Sequence, residues 1–472
     1  MSIELENRGP ETAPALLVDS AELSPESQAR PEVAPVAASE RHFAVDVLRG
    51  CALLGILAMN IVDFGWPGVA YGNPMAGGGF QGTDRVVWFF NHLVFEAKMM
   101  TLFSMLFGAG LVLLDTRAQA RGASIRGIYY RRVLWLLVIG LVHSYLIWAG
   151  DILVLYAETG LILYLFHAKS PRTLIILGLV ASLLIVPIVV GFAWSLDYMK
   201  AASARVEVQT KAGEKSSWLD RKASNAWKNM RDEFDPTPAK KAEAWDKEMA
   251  IYRGGYWGIV KNRAGQLIFA QTLAFIFGLG FVAASRMLIG MALMKLGVFS
   301  AERSNRFYLW MVALGYGIGM PLMVFDALEL IKHEFSFVYG LHGGFLYNLF
   351  GSLVVAMGHV GLVMLIVKAG LISWLTRRLA AVGRMALTNY LTHSIVCTTL
   401  FYGYGFALFG TMNRTALFGV VVVIWTVQLI VSPIWLKYFR FGPAEWVWRS
   451  LTYWRPQPMR VAPVGDLPAT AA

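Results

Sequence analysis

The chain carries one apolar run after another, most of them about 20 residues long and nearly free of charge. Runs of that length and number are buried in lipid. There, every backbone N–H and C=O must be satisfied within its own helix or in a closed barrel. The apolar residues come in continuous stretches and not in strict alternation, so the segments read as helices rather than barrel strands. Apolar residues make up 56% of the chain and charged residues 15%, too little charge for a soluble protein. The expected fold class is all-α: a polytopic transmembrane helix bundle of about ten spans.

The crossings are expected at about 44–64, 85–115, 133–150, 152–167 and 173–194, then 264–298, 307–330, 343–368, 385–406 and 415–439. The second is long enough to be tilted or broken. The sixth also exceeds one bilayer thickness and holds Arg286; it is read as one crossing, and whether a re-entrant or interfacial segment precedes it stays open. Five parts follow. Residues 1–42 form an acidic, disordered cytoplasmic tail, and 43–194 a five-helix half. Residues 195–262 form a charged extracytoplasmic helical cap, 263–440 a second five-helix half, and 441–472 an interfacial amphipathic helix and tail. No cleavable leader pattern precedes the first span, which is expected to act as an uncleaved signal anchor.

Basic residues assign the sides. Arg117, Arg121, Arg126, Arg131 and Arg132 follow the second span, Lys169 and Arg172 the fourth, and Arg303 and Arg306 the sixth. Arg377, Arg378 and Arg384 follow the eighth, and Lys437, Arg440 and Arg449 the tenth. Every second loop is basic, which places those loops and both termini in the cytoplasm of a bacterial inner membrane. The net charge of +11 is thus matched to lipid head groups and not to nucleic acid.

Ionisable groups inside spans are costly and become functional candidates. With this orientation, Asn60, Asp63, His92, Glu96, His143, Asp151 and Glu158 gather at the outer ends of the first four spans. His143 stands two turns before Asp151, and a His beside a carboxylate can act as a general base on a hydroxyl or amine. Its plain alternative is a hydrogen bond to a nearby carbonyl within the bundle. His92 and Glu96 share a helix face, either as a site or as an internal pair bracing a broken helix. Arg49, beside Asp46 at the inner interface, is an anchor or a contact for an anionic ligand. Arg286 is a snorkelling anchor or a ligand contact. Thr388, Asn389 and Thr392, with His359 and His393, read mainly as interhelical bonding, Asn389 being kept as a ligand contact. Cys51 and Cys397 sit in apolar runs as small buried residues. No spacing demands a metal, and none is expected.

Several stretches resemble the YeiB-like bacterial membrane proteins. They are Asp46-Val-Leu-Arg-Gly50 through Asn60, Leu102-Phe-Ser-Met-Leu-Phe-Gly-Ala-Gly110, His143 through Gly150-Asp-Ile-Leu153, Tyr252-Arg-Gly-Gly-Tyr256, Gly383-Arg-Met-Ala-Leu-Thr-Asn-Tyr390 and Gly442-Pro-Ala-Glu-Trp-Val-Trp-Arg449. The Leu48-Arg49-Gly50 opening followed by Asn60 is more distantly similar to transmembrane acyltransferases of the heparan-glucosaminide acetyltransferase type. It is also similar to the glycan O-acyltransferases, which carry a His where this chain has Asn60. That resemblance implies an acyl-CoA co-substrate on the cytoplasmic side and an acceptor on the far side.

The expected function is therefore transfer of an acyl group, acetyl first, from acyl-CoA to a hydroxyl or amine of an extracytoplasmic glycan, lipid or secreted metabolite. His143 would be the base, Asp151 its orienter, Arg49 a phosphate contact and Asn60 a hydrogen-bonding group. His92, Glu96, Arg286 and Asn389 are further candidate substrate contacts. Two other classes stay open: an exporter of a small polar solute, suggested by the five-plus-five layout, and a non-catalytic assembly factor that works through the 195–262 cap.

Overall fold

A computed structural model describes residues 42–76, 80–234 and 237–461, with no side chains for 232–234. The tail up to residue 41 and the glycine run at 77–79 lie outside the described residues. Among those described there is no strand, only an isolated bridge between Phe439 and Arg460. The protein is an all-α, multi-pass helical bundle.

Its long helices are α1 (Phe43–Gly65), α2 (Gly82–Val94), α3 (Lys98–Gln119), α4 (Arg126–Ile147), α5 (Leu153–Phe166) and α6 (Pro171–Lys211). Two polar helices follow, α7 (Trp218–Phe234) and α8 (Pro238–Tyr252). The series continues with α9 (Tyr256–Lys295), α10 (Asn305–Lys332), α11 (Phe337–Lys368), α12 (Ser373–Arg384), α13 (Ala386–Phe401), α14 (Arg414–Tyr438) and α15 (Pro443–Tyr453). Among the described residues, eight helical runs are long and apolar enough to cross a membrane. The two remaining expected crossings correspond to the shorter helices α5 and α13.

The second run is broken. α2 ends at Val94, and the chain turns through Glu96 and Ala97, whose φ of 57° is left-handed, before α3 begins at Lys98. The sixth run settles the point left open. It is one continuous helix of 40 residues with no re-entrant turn, about 60 Å long at 1.5 Å per residue. Its middle, Ala270–Leu279, is widened to a π-helix. This length explains much of the polar stretch. α6 runs on to Lys211 and α9 starts already at Tyr256, so both rods project past a hydrocarbon core of about 30 Å. α7 folds back on α6, with Arg205 paired to Asp220 at 2.6 Å and Trp227 buried. α8 covers the end of α1: Glu248 accepts the Gly68 N–H at 3.0 Å, and Trp245 meets Trp66 edge-on.

α1 is the central helix, buried along nearly its whole length against α3, α12, α13 and α14. The crossing with α12 is very close. A Cβ on Gly50 would sit 2.0 Å from the Leu379 carbonyl oxygen, and one on Gly383 would sit 2.0 Å from that of Asp46. These glycines let two backbones touch, as small residues do at membrane helix contacts. They also set their neighbours Arg49 and Arg384 on one rim. α15 docks beside that rim. Glu445 accepts the Leu387 and Thr388 N–H groups, at 2.6 and 3.2 Å, and the Thr388 hydroxyl at 2.5 Å. A carboxylate from another helix thereby satisfies the unpaired amides of the first turn of α13. Trp448 of α15 donates its indole N–H to the Arg132 carbonyl, and the Arg132 guanidinium lies 4.0 Å over its ring. The amphipathic helix expected after residue 441 thus packs one face on α4 and α13.

Candidate functional site

α4 supplies the central side chain. Its last turn widens at His143–Ile147, where the Trp148 N–H reaches the His143 carbonyl five residues back at 2.9 Å. Such widening frees carbonyls that need other donors. Arg263 of α9, buried to 1% exposure, donates to the carbonyls of Ile147 at 2.8 Å and Leu146 at 3.3 Å, and the Tyr256 hydroxyl donates to Leu146 at 2.7 Å. The chain then turns through Trp148, which stacks on Phe64 and donates to Asp63 at 3.1 Å, and arrives at Asp151.

Asp151 works in two directions. Its Oδ2 accepts the Val154 N–H at 2.8 Å, capping α5, and its Oδ1 lies 2.7 Å from His143 Nδ1. With Asp151 ionised and the imidazole neutral, the carboxylate can only accept, so Nδ1 carries the proton and Nε2 is left as an acceptor. Nε2 lies 2.8 Å from the Ser394 hydroxyl of α13, which donates to it in that tautomer. His143 and Ser394 are each 1% exposed. The Tyr390 ring lies against the imidazole at 5.2 Å, and its hydroxyl accepts the Ile152 N–H at 3.2 Å, which leaves the phenolic proton to give elsewhere. A carboxylate, an imidazole and a hydroxyl in series form a base that can draw a proton from the hydroxyl.

A cavity of about 250 Å³ runs toward this relay. Its mouth carries six arginines, Arg49, Arg117, Arg132, Arg384, Arg440 and Arg449, against two carboxylates, Asp46 and Glu445. Asp46 pairs with Arg49 at 2.8 Å, and Glu445 is engaged with α13. Deeper, the walls turn apolar with Phe103, Leu106, Phe107, Val133, Leu136 and Leu153, and Tyr156 and Tyr390 add hydroxyls. On α4 the lining residues Tyr129, Arg132, Val133 and Leu136 define a face that Gly140 and His143 continue at helical spacing. His143 lies seven residues past Leu136, about 10 Å along the axis. On α13 the lining residues Ala386, Leu387 and Tyr390 lead to Ser394 one turn further. Gly140 is where α5 closes on this face: a Cβ there would stand 2.8 Å from Val154 N.

The other candidates fall in separate places. Arg49 is on the mouth. Asn60 is half-buried on α1, one turn before Asp63. Buried His92 and half-buried Glu96 pair at 2.8 Å but join a second, largely buried cluster, not the relay. There Asp326 of α10 lies 3.3 Å from His92 Nε2, out of line for a hydrogen bond, and the buried Lys98 ammonium donates to the His92 carbonyl. Arg286 is 2% exposed and bonds Ser182, Ser285 and the Leu349 carbonyl, away from the cavity lining. Asn389 donates to the Val382 carbonyl and Ser432, and His393 bonds Gln428, both on the flank of α13 that faces α14. His359 bonds Tyr316 and the Val94 carbonyl. Among the described residues no three His, Cys, Asp or Glu groups are arranged to hold a metal ion. Ser394, Arg263, Tyr390 and Glu445 were not singled out by sequence. The last three stand in or beside motif stretches, while Ser394 has no local signal at all.

Fold and site together define a multi-pass all-α membrane protein with a buried carboxylate–imidazole–hydroxyl relay beyond an arginine-rimmed cavity. The chain belongs to the YeiB-like family. It is 33% identical over 422 residues to "uncharacterized protein YeiB" of Escherichia coli (strain K12), covering 88% of this chain and 96% of that protein. It is 29% identical over 433 residues to "uncharacterized protein YxaH" of Bacillus subtilis (strain 168), covering 89% and 97%. Residues 293–455 match a family described as a protein of unknown function, DUF418. That stretch holds Arg384, Tyr390, Ser394 and Glu445 but not His143 or Asp151. No solved structure matches.

Proposed function

We propose that the protein is a transmembrane acyltransferase of the bacterial inner membrane, with both termini in the cytoplasm. It takes a short acyl group, acetyl first, from acyl-CoA at the arginine rim and delivers it to a hydroxyl or amine of an acceptor on the other side. The observation that carries this reading is the alignment of the cavity with the relay. Six guanidinium groups face two engaged carboxylates at the mouth, and two helix faces lead from there to His143. Guanidinium groups bind phosphate oxygens in bidentate fashion, and a cluster of them suits a ligand with several phosphates. The apolar walls beyond suit the uncharged pantetheine arm and its thioester. His143, oriented by Asp151, supplies the base, worth about 10²–10⁴-fold in rate. The acceptor class is a glycan, a lipid or a secreted metabolite. No nucleic acid and no metal enter the reaction.

The test is binding and turnover of acetyl-CoA by detergent-purified protein. Micromolar-range binding that weakens at least tenfold in Arg49→Glu/Arg384→Glu, with transfer lost in His143→Ala, is the expected result. Absence of any acyl-CoA binding in a folded protein would end this reading.

The second buried cluster favours an alternative, export of a small polar solute. Asp326 is fully buried with neither carboxylate oxygen hydrogen-bonded, beside His92, Glu96 and Lys98. Groups of this kind serve as proton relays in transporters. On that alternative Asp326→Asn abolishes solute flux in proteoliposomes, while His143→Ala leaves it intact.

A further inference from the structure

Serine and threonine hydroxyls in membrane helices usually return to their own backbone. α13 follows that habit at Thr392, Thr398 and Thr399, which bond the carbonyls of Thr388, Ile395 and Ile395. Ser394 does not. Its hydroxyl is turned across the helix interface onto His143 Nε2, 251 residues away in the chain. The same imidazole is held on its other side by Asp151, and Asp151 is itself fixed by capping α5. A bare packing contact needs neither a defined tautomer nor a third group.

The geometry points to Ser394 as a covalent nucleophile: we infer that the protein passes its acyl group through a Ser394 ester. This rests on the acyltransferase reading. In the first half, Ser394 Oγ attacks the thioester carbonyl while His143 Nε2 takes the hydroxyl proton. The C–S bond breaks, the CoA thiolate leaves, and His143 returns the proton to it as CoA–SH. In the second half the acceptor hydroxyl or amine attacks the serine ester, giving its proton to Nε2. The C–O bond breaks, and the proton goes to Ser394 Oγ, restoring the starting state. No redox partner is needed. The ester also solves a problem of distance. Acyl-CoA is too large and too charged to cross, whereas an acyl group on Ser394, one turn past the lining residue Tyr390, has parted from the CoA left at the rim.

The experiment incubates the full-length protein with labelled acetyl-CoA and no acceptor, then locates label by peptide mass spectrometry and follows free CoA. The expected result is up to one acetyl group per chain on the peptide carrying Ser394, with a matching burst of CoA. Label is absent in Ser394→Ala and falls at least tenfold in His143→Ala. Ser394→Ala must retain its thermal midpoint, and its transfer to acceptor falls by about 10³-fold or more. Ser394→Cys, close in size, is expected to keep a labelled, thioester-type intermediate. The inference is overturned if Ser394→Ala transfers within about threefold of wild type, or if wild type transfers with no label on Ser394. Transfer then proceeds directly from acyl-CoA, and the acyltransferase reading stands alone. If the wild type neither binds nor consumes acetyl-CoA, both fall together.

Discussion

A hydroxyl buried among membrane helices must find a partner, and what it finds decides its chemistry. Ser394 finds an imidazole whose other nitrogen is already held by Asp151. Asp151→Asn should leave the geometry near native but present an amide to Nδ1, which favours the wrong tautomer. Transfer is then expected to drop by about 10²–10⁴-fold with little loss of stability, read by steady-state rates beside a melting curve. Arg263 acts one step back, on the carbonyls of Leu146 and Ile147. Arg263→Ala strips donors from a buried helix end at a cost of about 1–3 kcal/mol. It should lower kcat more than affinity for acyl-CoA, because it loosens the turn that aims His143 and leaves the rim untouched. The two partners in the relay that sequence identified, His143 and Asp151, are eight residues apart and share a motif. Ser394 was hidden because only the tertiary crossing of α13 with α4 brings it there. The pairing of His92 with Glu96 was equally legible from i,i+4 spacing. Asp326 beside them was not, since it comes from α10.

At the scale of elements, two contacts set the site. α5 closes on α4 at Gly140, where even a methyl group would press on the amide that Asp151 caps. Gly140→Ala is expected to push the helices apart and uncouple Asp151 from His143. Activity should fall at least tenfold with a destabilisation of about 1–3 kcal/mol, as overpacking costs. α15 closes the mouth by capping α13 through Glu445. Burial pushes the Glu445 carboxyl above its ordinary range, although bonds from Thr388 and Leu387 hold it back. A carboxyl with a raised folded pKa binds its proton more tightly in the native state, so it adds stability as pH falls and loses that gain as pH rises. The thermal midpoint of wild type relative to Glu445→Gln should therefore increase between pH 7 and pH 5. An unchanged difference would show that the carboxyl titrates normally. Long apolar runs and motif glycines made the helices readable in the sequence. The break at Ala97 and the unbroken α9 depended on packing. One run of similar length turns at a left-handed residue, while the other continues through a widened segment.

Across the whole molecule, charge and polarity are sorted along the bundle. The arginine rim sits at the start of α1 and the end of α3, and the relay sits at the far end of α4. Alternating basic loops already divided the chain in this way, because charge bias is a local property of each loop. A cavity that leads from the rim toward the relay could not be read, since α1, α3, α4, α5, α12, α13 and α15 all line it. The decisive measurement places the protein in sealed proteoliposomes of one orientation and offers labelled acetyl-CoA to one face at a time. Label should be consumed only from the face that carries Arg49 and should appear in acceptor on the opposite side, and His143→Ala vesicles should show neither. Consumption from the other face, or equal transfer by wild type and His143→Ala, would contradict an acyl group travelling from the arginine rim to the His143 relay.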